Sequence, residues 1–204
     1  MTGPFSRKQI QQQREAYILE VTEALLKEKG YYDMSMDEIA ARVGITKVTL
    51  YRHFKSKEDL IFHLLFGDLP SFLQHLDEKI STDLPVIEQI ESFIYRSILN
   101  FLQKNSSLSL SFLSSLGELS IFLKSKQKDL QQVEDTIAEY FIPLLKDGQS
   151  EGLIDSTVPP SILLGTLSGI ISSVSLQQMK TENDLSEEEL ADIGTRLYMK
   201  AIRA

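Results

Sequence analysis

Lys47, Arg52, Lys55 and Lys57 follow one another with no acid among them until Glu58, and Thr46, Thr49, Tyr51, His53 and Ser56 are interleaved with them. Cations, hydroxyls and an imidazole at this density bind anions. Carried on a short helix, they can also meet the donors, acceptors and thymine methyls of a DNA major groove. Lys47, at the N-terminal end of that helix, can donate to guanine O6 or N7. Val48 can touch a thymine methyl, and Thr49 can serve a base edge or a phosphate. Tyr51, His53 and Lys57 are phosphate donors, and Arg52 shares their outward face. The bland reading of the same residues is a capped helical hairpin with a solvated basic face. Turn, caps, charge and an aromatic donor coincide here, which favours DNA.

Such side chains need a rigid support. In a helix from Thr46 to about Phe54, the apolar Ile45, Leu50 and Phe54 would seat against Ile39, Ala40 and Leu60. Gly44 allows a sharp turn just before it. Ser35-Met36-Asp37-Glu38 reads as a capping box, in which the Ser hydroxyl takes an orphan amide and Glu38 reaches back. Thr46 and Ser56 cap the next two helix starts, and Glu58 and Asp59 suit the dipole of the second. Free amides at the starts near Ser35 and Ser56 add anion sites. Upstream, a helix over about 14–29 carries Ile18, Val21 and Leu25 on one face and stops at Gly30. Residues 1–13 are polar and Gln-rich and read as an arm or helix extension.

The 204-residue chain is long enough for a sizeable core, and its formal net charge is -8. Residues 1–66 hold 10 Lys+Arg and 9 Asp+Glu, a net of +1. Residues 67–204 hold 11 and 20, a net of -9. A uniformly basic RNA-coating protein is thereby excluded, while a local basic cluster can still bind nucleic acid at short range. With no cysteine, disulfides, thiolate zinc sites and Cys nucleophiles are excluded. The N-terminus has no apolar signal core, which points to a cytoplasmic protein. The uncharged stretch from Val158 to Met179 is long enough to raise the transmembrane question. Its Ser, Thr and Gln content favours a buried or interface helix over a membrane span.

Elsewhere the apolar spacing is mostly helical, with no hairpin signal, so the fold class is all-α. Pro70 kinks or restarts the helix that begins near 57. Further helices are expected at about 70–81, 85–104, 107–123, 126–148, 160–180 and 186–203. The first half of 106–116 alternates like a strand, but no neighbouring segment offers a partner. Gly148, Gly152 and Pro159-Pro160 mark a loop.

Gly30-Tyr31, Ser35, Ile39-Ala40, Gly44-Ile45-Thr46, Thr49-Leu50-Tyr51, His53-Phe54 and Ser56-Lys57-Glu58 closely resemble the DNA-binding domain of TetR/AcrR-family transcriptional regulators. The resemblance covers about residues 12–72, with the helix-turn-helix at about 35–54. It implies a three-helix DNA-binding domain joined by a fourth helix to an all-α effector-binding and dimerisation domain over 73–204. It also implies a homodimer on a palindromic operator, most often a repressor released by a small molecule. Carried over position by position, Lys47, Val48, Thr49, Tyr51, His53 and Lys57 match family DNA contacts, and Ser35 matches a phosphate contact. Val48 departs from the usual Gly or small residue, and Met34 from the common Thr.

Past residue 72 the reading rests on pattern. Gly165, Gly169, Ser172 and Ser173 recur at about one-turn spacing, a row that lets another helix approach closely. With Ile193 and Leu197 of the last helix they are the expected dimer surface, although such a row can also pack inside its own subunit. Phe93, Tyr95, Phe101, Phe112, Phe122, Tyr140 and Phe141 are candidates to line a partly apolar effector pocket, although aromatics at helical spacing are core more often than ligand wall. No Ser/His/Asp arrangement, phosphate loop or metal-ligand spacing is visible, so no enzyme activity, cofactor or metal is expected. The competing readings are an activator with the same DNA-binding head, and an all-α enzyme or ligand carrier whose basic hairpin is incidental.

Overall fold

Each of the three closely spaced helix starts is closed by a hydroxyl. A computed structural model describes residues 7–80, 83–113, 122–178 and 185–204. In it α1 spans Arg7–Asp33, α2 Met36–Val43, α3 Lys47–His53 and α4 Lys57–Phe66. The side chains of Ser35, Thr46 and Ser56 accept from the amides of Glu38, Thr49 and Asp59 at 3.3, 3.1 and 3.1 Å. Each bond satisfies one of the four amides a helix start leaves unpaired, worth about 1 kcal/mol per cap. Gly44 adopts the left-handed φ of 78° that closes α2 and aims α3.

Two local expectations change. The helix expected over 14–29 begins at Arg7 and runs to Asp33, with a break at Gly30 (φ 80°, ψ 175°) rather than an end there. The capping box at Ser35 is half formed. The Glu38 carboxylate bonds Lys29 Nζ at 2.6 Å instead of reaching back to Ser35, because an ammonium outbids a neutral amide for a carboxylate.

By compactness the chain divides into Met1–Gly67 with Leu110–Gln127, and Asp68–Ser109 with Lys128–Ala204. In the first unit α1 packs on α2 and α4, and α2 packs on α3. Ile18, Leu25, Ile39, Leu50, Leu60 and Ile61 are completely buried there. Burying each such side chain contributes about 1.5–3 kcal/mol. Met34, the departure from the family's common Thr, is 1% exposed and belongs to this core.

The second unit is built from α5 (Leu69–Lys79), most of α6 (Val86–Leu113), α7 (Gln127–Ser150), α8 (Pro160–Gln178) and α9 (Glu187–Ile202). Pro70 stands in the first turn of α5, where a missing N–H costs nothing. The break expected near 105 is absent. No Gly or Pro interrupts 86–113, so α6 runs through as one helix. Among the described residues there is no strand, only an isolated bridge between Ile154 and Arg203. The fold class is all-α.

Gly148 is not a loop glycine. It lies inside α7, buried, and a Cβ there would stand 2.7 Å from Ile154 Cγ1. The turn belongs to Gly152, with φ of 72°. Gln149 Nε2 then donates to the carbonyls of Asp155 and Val158, both at 2.8 Å, and orders the connection into α8.

Candidate nucleic-acid interface

Leu50 and Phe54 are 0% and 2% exposed and fix α3 against the first unit. Ile45, expected beside them, is half-buried. With that side anchored, Thr46, Lys47, Val48, Tyr51 and Arg52 are exposed. Val48 is 65% exposed, so the departure from a small residue projects outward as an apolar knob. Thr49 is half-buried, and its hydroxyl lies 2.8 Å from that of Thr46. The face therefore offers, in order, a cation, an apolar surface, a hydroxyl pair, a phenol and a guanidinium.

Several of the expected contacts already have partners. Lys47 Nζ bonds Asp37 Oδ1 of α2 at 2.6 Å, and this bond raises the Lys47 pKa above its usual value. His53 is largely enclosed, with Nδ1 2.9 Å from Glu15 Oε1 of α1. Burial alone would raise the Glu15 carboxyl, but the bonds from His53 and Gln11 outweigh it and hold it below the usual range. Arg52 makes no ion pair among the described residues.

Lys57, read from sequence as a phosphate donor, is directed inward. Its ammonium donates to the carbonyls of Tyr31 and Met34, the latter at 2.9 Å, and lies 4.0 Å from the centre of the Tyr31 ring. Carbonyls at the end of a helix carry partial negative charge, and they hold a nearby ammonium as a phosphate would. Tyr31 Oη donates in turn to Glu58 Oε1 at 2.7 Å. Burial pushes the Glu58 carboxyl up, and the bonds from Tyr31, its own amide and Ser56 bring it below the usual range. Lys57, Tyr31 and Glu58 thus tie the end of α1 to the start of α4.

One tie lay beyond sequence reasoning. Lys126 Nζ bonds Asp59 Oδ1 at 2.8 Å, with the two side chains only 12% and 16% exposed. The other Asp59 oxygen accepts from the Lys55 amide at 2.9 Å. Burial opposes the charge on Asp59, but these two donors prevail and lower its pKa below the usual 3.8. No local pattern links positions 59 and 126. The same is true of Asp37 and Lys47, whose acid was read only as part of a cap.

In the second unit, Gly165 and Gly169 lie on α8 with open space where a Cβ would be. Ser172 and Ser173 are exposed, Ile193 is half-buried, and Leu197 is 51% exposed. Three hydroxyls of α8 turn inward on their own helix: Thr166, Ser172 and Ser175 donate to the carbonyls four residues back, while Ser161, Ser168 and Ser173 are exposed. By length and composition α8 is the one described helix apolar enough to cross a membrane, yet it packs against α9 and buries Leu163, Leu164, Leu167 and Val174.

The aromatic candidates do not form one group. Phe93 and Phe141 are buried in the second unit and stack at 4.2 Å, with Tyr140 stacked on Phe93 at 5.4 Å. Tyr95 is half-buried against that core, and Phe101 is half-buried. Phe122 is buried in the first unit. The Phe112 side chain lies outside those described.

Comparison with known proteins gives this geometry its context. The family model described as bacterial regulatory proteins, tetR family, matches residues 18–64, which run from α1 through α4. The HTH-type transcriptional regulator YhgD of Bacillus subtilis is 27% identical over 146 residues, covering 72% of this chain and 74% of its own. An HTH-type transcriptional regulator of Staphylococcus aureus is 39% identical over 72 residues, covering 35% and 38% respectively. The solved structure of the fatty acid degradation regulator FadR from Bacillus halodurans superposes with a TM-score of 0.72. It covers 91% of this chain and 94% of its own at 16% identity, a likeness of fold. A capped α2–turn–α3 unit with an exposed cationic face, inside a segment that matches the tetR-family model and in a chain similar to HTH-type transcriptional regulators, is a TetR-type DNA-binding domain over residues 18–64.

Proposed function

We propose that this regulator is a cytoplasmic, homodimeric repressor that leaves a near-palindromic operator when a partly apolar small molecule binds. The observation that carries the reading is the outer face of α3, held rigid by Leu50 and Phe54 and presenting Lys47, Val48, Thr49, Tyr51 and Arg52 to solvent. In this reading α3 enters the major groove. Lys47, Val48 and Thr49 read bases, and Tyr51, Arg52 and the Ser35 hydroxyl hold phosphates. His53 would reach a phosphate through the nitrogen that Glu15 does not engage. Lys57 braces the head from within.

A single short helix reads too few bases for a specific site, so two copies are needed. Two-fold symmetry then sets half-sites about one helical turn apart or slightly more. The α8 face with Gly165, Gly169, Ser172 and Ser173, extended by Ile193 and Leu197 of α9, suits that dimer. Its side chains are small, Ser172 is bonded back to its own helix, and the open space at Gly165 and Gly169 lets a second helix approach closely. The second unit is aromatic-rich, and one structural neighbour is named as a fatty acid degradation regulator. Both support an effector with apolar character, which would favour a conformation with a different separation of the two heads.

Selecting bound fragments from genomic DNA tests this reading. The expected result is a small set of fragments sharing an inverted repeat, with a reporter downstream silenced by the protein. A reporter stimulated by the protein would make it an activator. Retention of no specific fragment would favour an all-α enzyme or carrier.

A further inference from the structure

Asp37 is an acid on a surface meant for a polyanion. It sits in the first turn of α2, its side chain is 66% exposed, and it grips the first residue of α3 at 2.6 Å. Exposed ion pairs add little to stability, so the pair is not explained as a structural brace. Its cost at a DNA surface is plain, because a carboxylate facing phosphates weakens binding to any DNA.

The chemistry of the pair suits one base pair. Of the three Lys47 ammonium hydrogens, Asp37 takes one and leaves two, the number that guanine O6 and N7 accept together. The second Asp37 oxygen, Oδ2, has no partner among the described residues. In the major groove the cytosine N4 amino group stands beside guanine O6 and offers the donor that a carboxylate needs. A T·A pair also places an acceptor beside a donor, but thymine gives the ammonium one acceptor where guanine gives two.

We propose that Asp37 is a specificity-determining residue and that Asp37 and Lys47 read a G·C pair as one unit. Lys47 donates to guanine and Asp37 accepts from the cytosine N4 amino group. Away from the operator, Asp37 holds Lys47 back from phosphates, so the pair trades non-specific affinity for discrimination. The inference rests on α3 being the DNA-reading helix.

Selection from random duplex DNA, followed by titration at several salt concentrations, tests it with full-length wild-type protein and the Asp37→Asn, Asp37→Ala and Lys47→Gln variants. The wild type should enrich a motif with a fixed G·C pair in each half-site. Both Asp37 variants should lose preference at that pair by roughly tenfold. Their binding to random DNA should strengthen, and the salt dependence should steepen by about one unit as Lys47 takes a phosphate. Asn keeps the size and a hydrogen-bonding group at the α2 start, so its agreement with Ala separates recognition from helix damage. An unchanged motif and an unchanged operator-to-random ratio in both Asp37 variants would overturn the inference alone. So would loss of the G·C preference in the Asp37 variants but not in Lys47→Gln, because the pair would then not act as one. Enrichment of no motif by wild type would take down the DNA reading itself.

Discussion

In the N-terminal unit the apolar core is crossed by ties from charged or polar side chains: Lys57 to the carbonyls of Tyr31 and Met34, Tyr31 to Glu58, His53 to Glu15, Lys126 to Asp59. In the C-terminal unit the corresponding ties are apolar packing around Phe93, Phe141 and Tyr198, with side chains donating to backbone carbonyls, as Tyr198 Oη does to Leu163 at 2.7 Å. The contrast follows from the work of each part. A head that meets DNA needs caps, turns and cations at fixed places, and those leave a residue signature. A helical body needs only apolar side chains of suitable volume, and many sequences satisfy that. Accordingly, the family model matches residues 18–64 and stops short of the body.

The sharpest test of this contrast lies within the body. Gly165→Leu with Gly169→Leu should abolish the proposed dimer, and with it tight operator binding, while each subunit keeps its melting temperature, because open space surrounds both positions. Gly194→Leu should do the reverse and loosen the subunit, because even a Cβ there would lie 2.9 Å from Ile98 and 3.1 Å from Val174. Light scattering and thermal melts separate the two outcomes, and an intact dimer in the double variant would return the small-residue row to ordinary surface.

In the head, Leu50→Ala should cost about 2–5 kcal/mol of unfolding free energy, measured in urea, because it removes the side chain that seats α3. Lys126→Met should cost about 1.5–3 kcal/mol near neutral pH, the range for a hydrogen bond to a charged group. The Asp59 pKa is depressed by folding, so the contribution is complete above pH 3.8 and is lost as pH falls through the depressed value. Wild type and variant should therefore converge in acid, and a constant gap from pH 7 to pH 2 would assign the stabilisation to packing. The smallest effect belongs to Tyr51→Phe. Loss of one phosphate hydrogen bond should weaken operator and random DNA equally, by about 0.5–1.5 kcal/mol in a gel-shift titration. Unequal losses would make Tyr51 a base reader.

The three caps, the Gly44 turn, the seating of α3 by Leu50 and Phe54 and the all-α class were legible because each depends on residues a few positions apart. The continuous α6 was not. The strand-like alternation in 106–116 obscured it and two helices were expected, but a helix ends only where something ends it, and nothing in 86–113 does. Gly148 looked like a loop glycine because local sequence does not show Ile154 folding back onto it. The aromatic set looked like one group because helical spacing does not say which unit a side chain enters, and Phe122 falls in the first and Phe93 in the second.

By itself the sequence determined where helices start, which side of α3 is apolar and where positive charge gathers, since short-range hydrogen bonding and periodicity govern all three. Tertiary structure decided which charges remain available. It turned Lys57 inward to the carbonyls of Tyr31 and Met34, set Glu15 against His53, and placed Asp37 of α2 on Lys47 of α3. Electrostatic partners are chosen by distance in space, and the chain brings residues ten, twenty-six or thirty-eight positions apart to that distance only once its helices have packed.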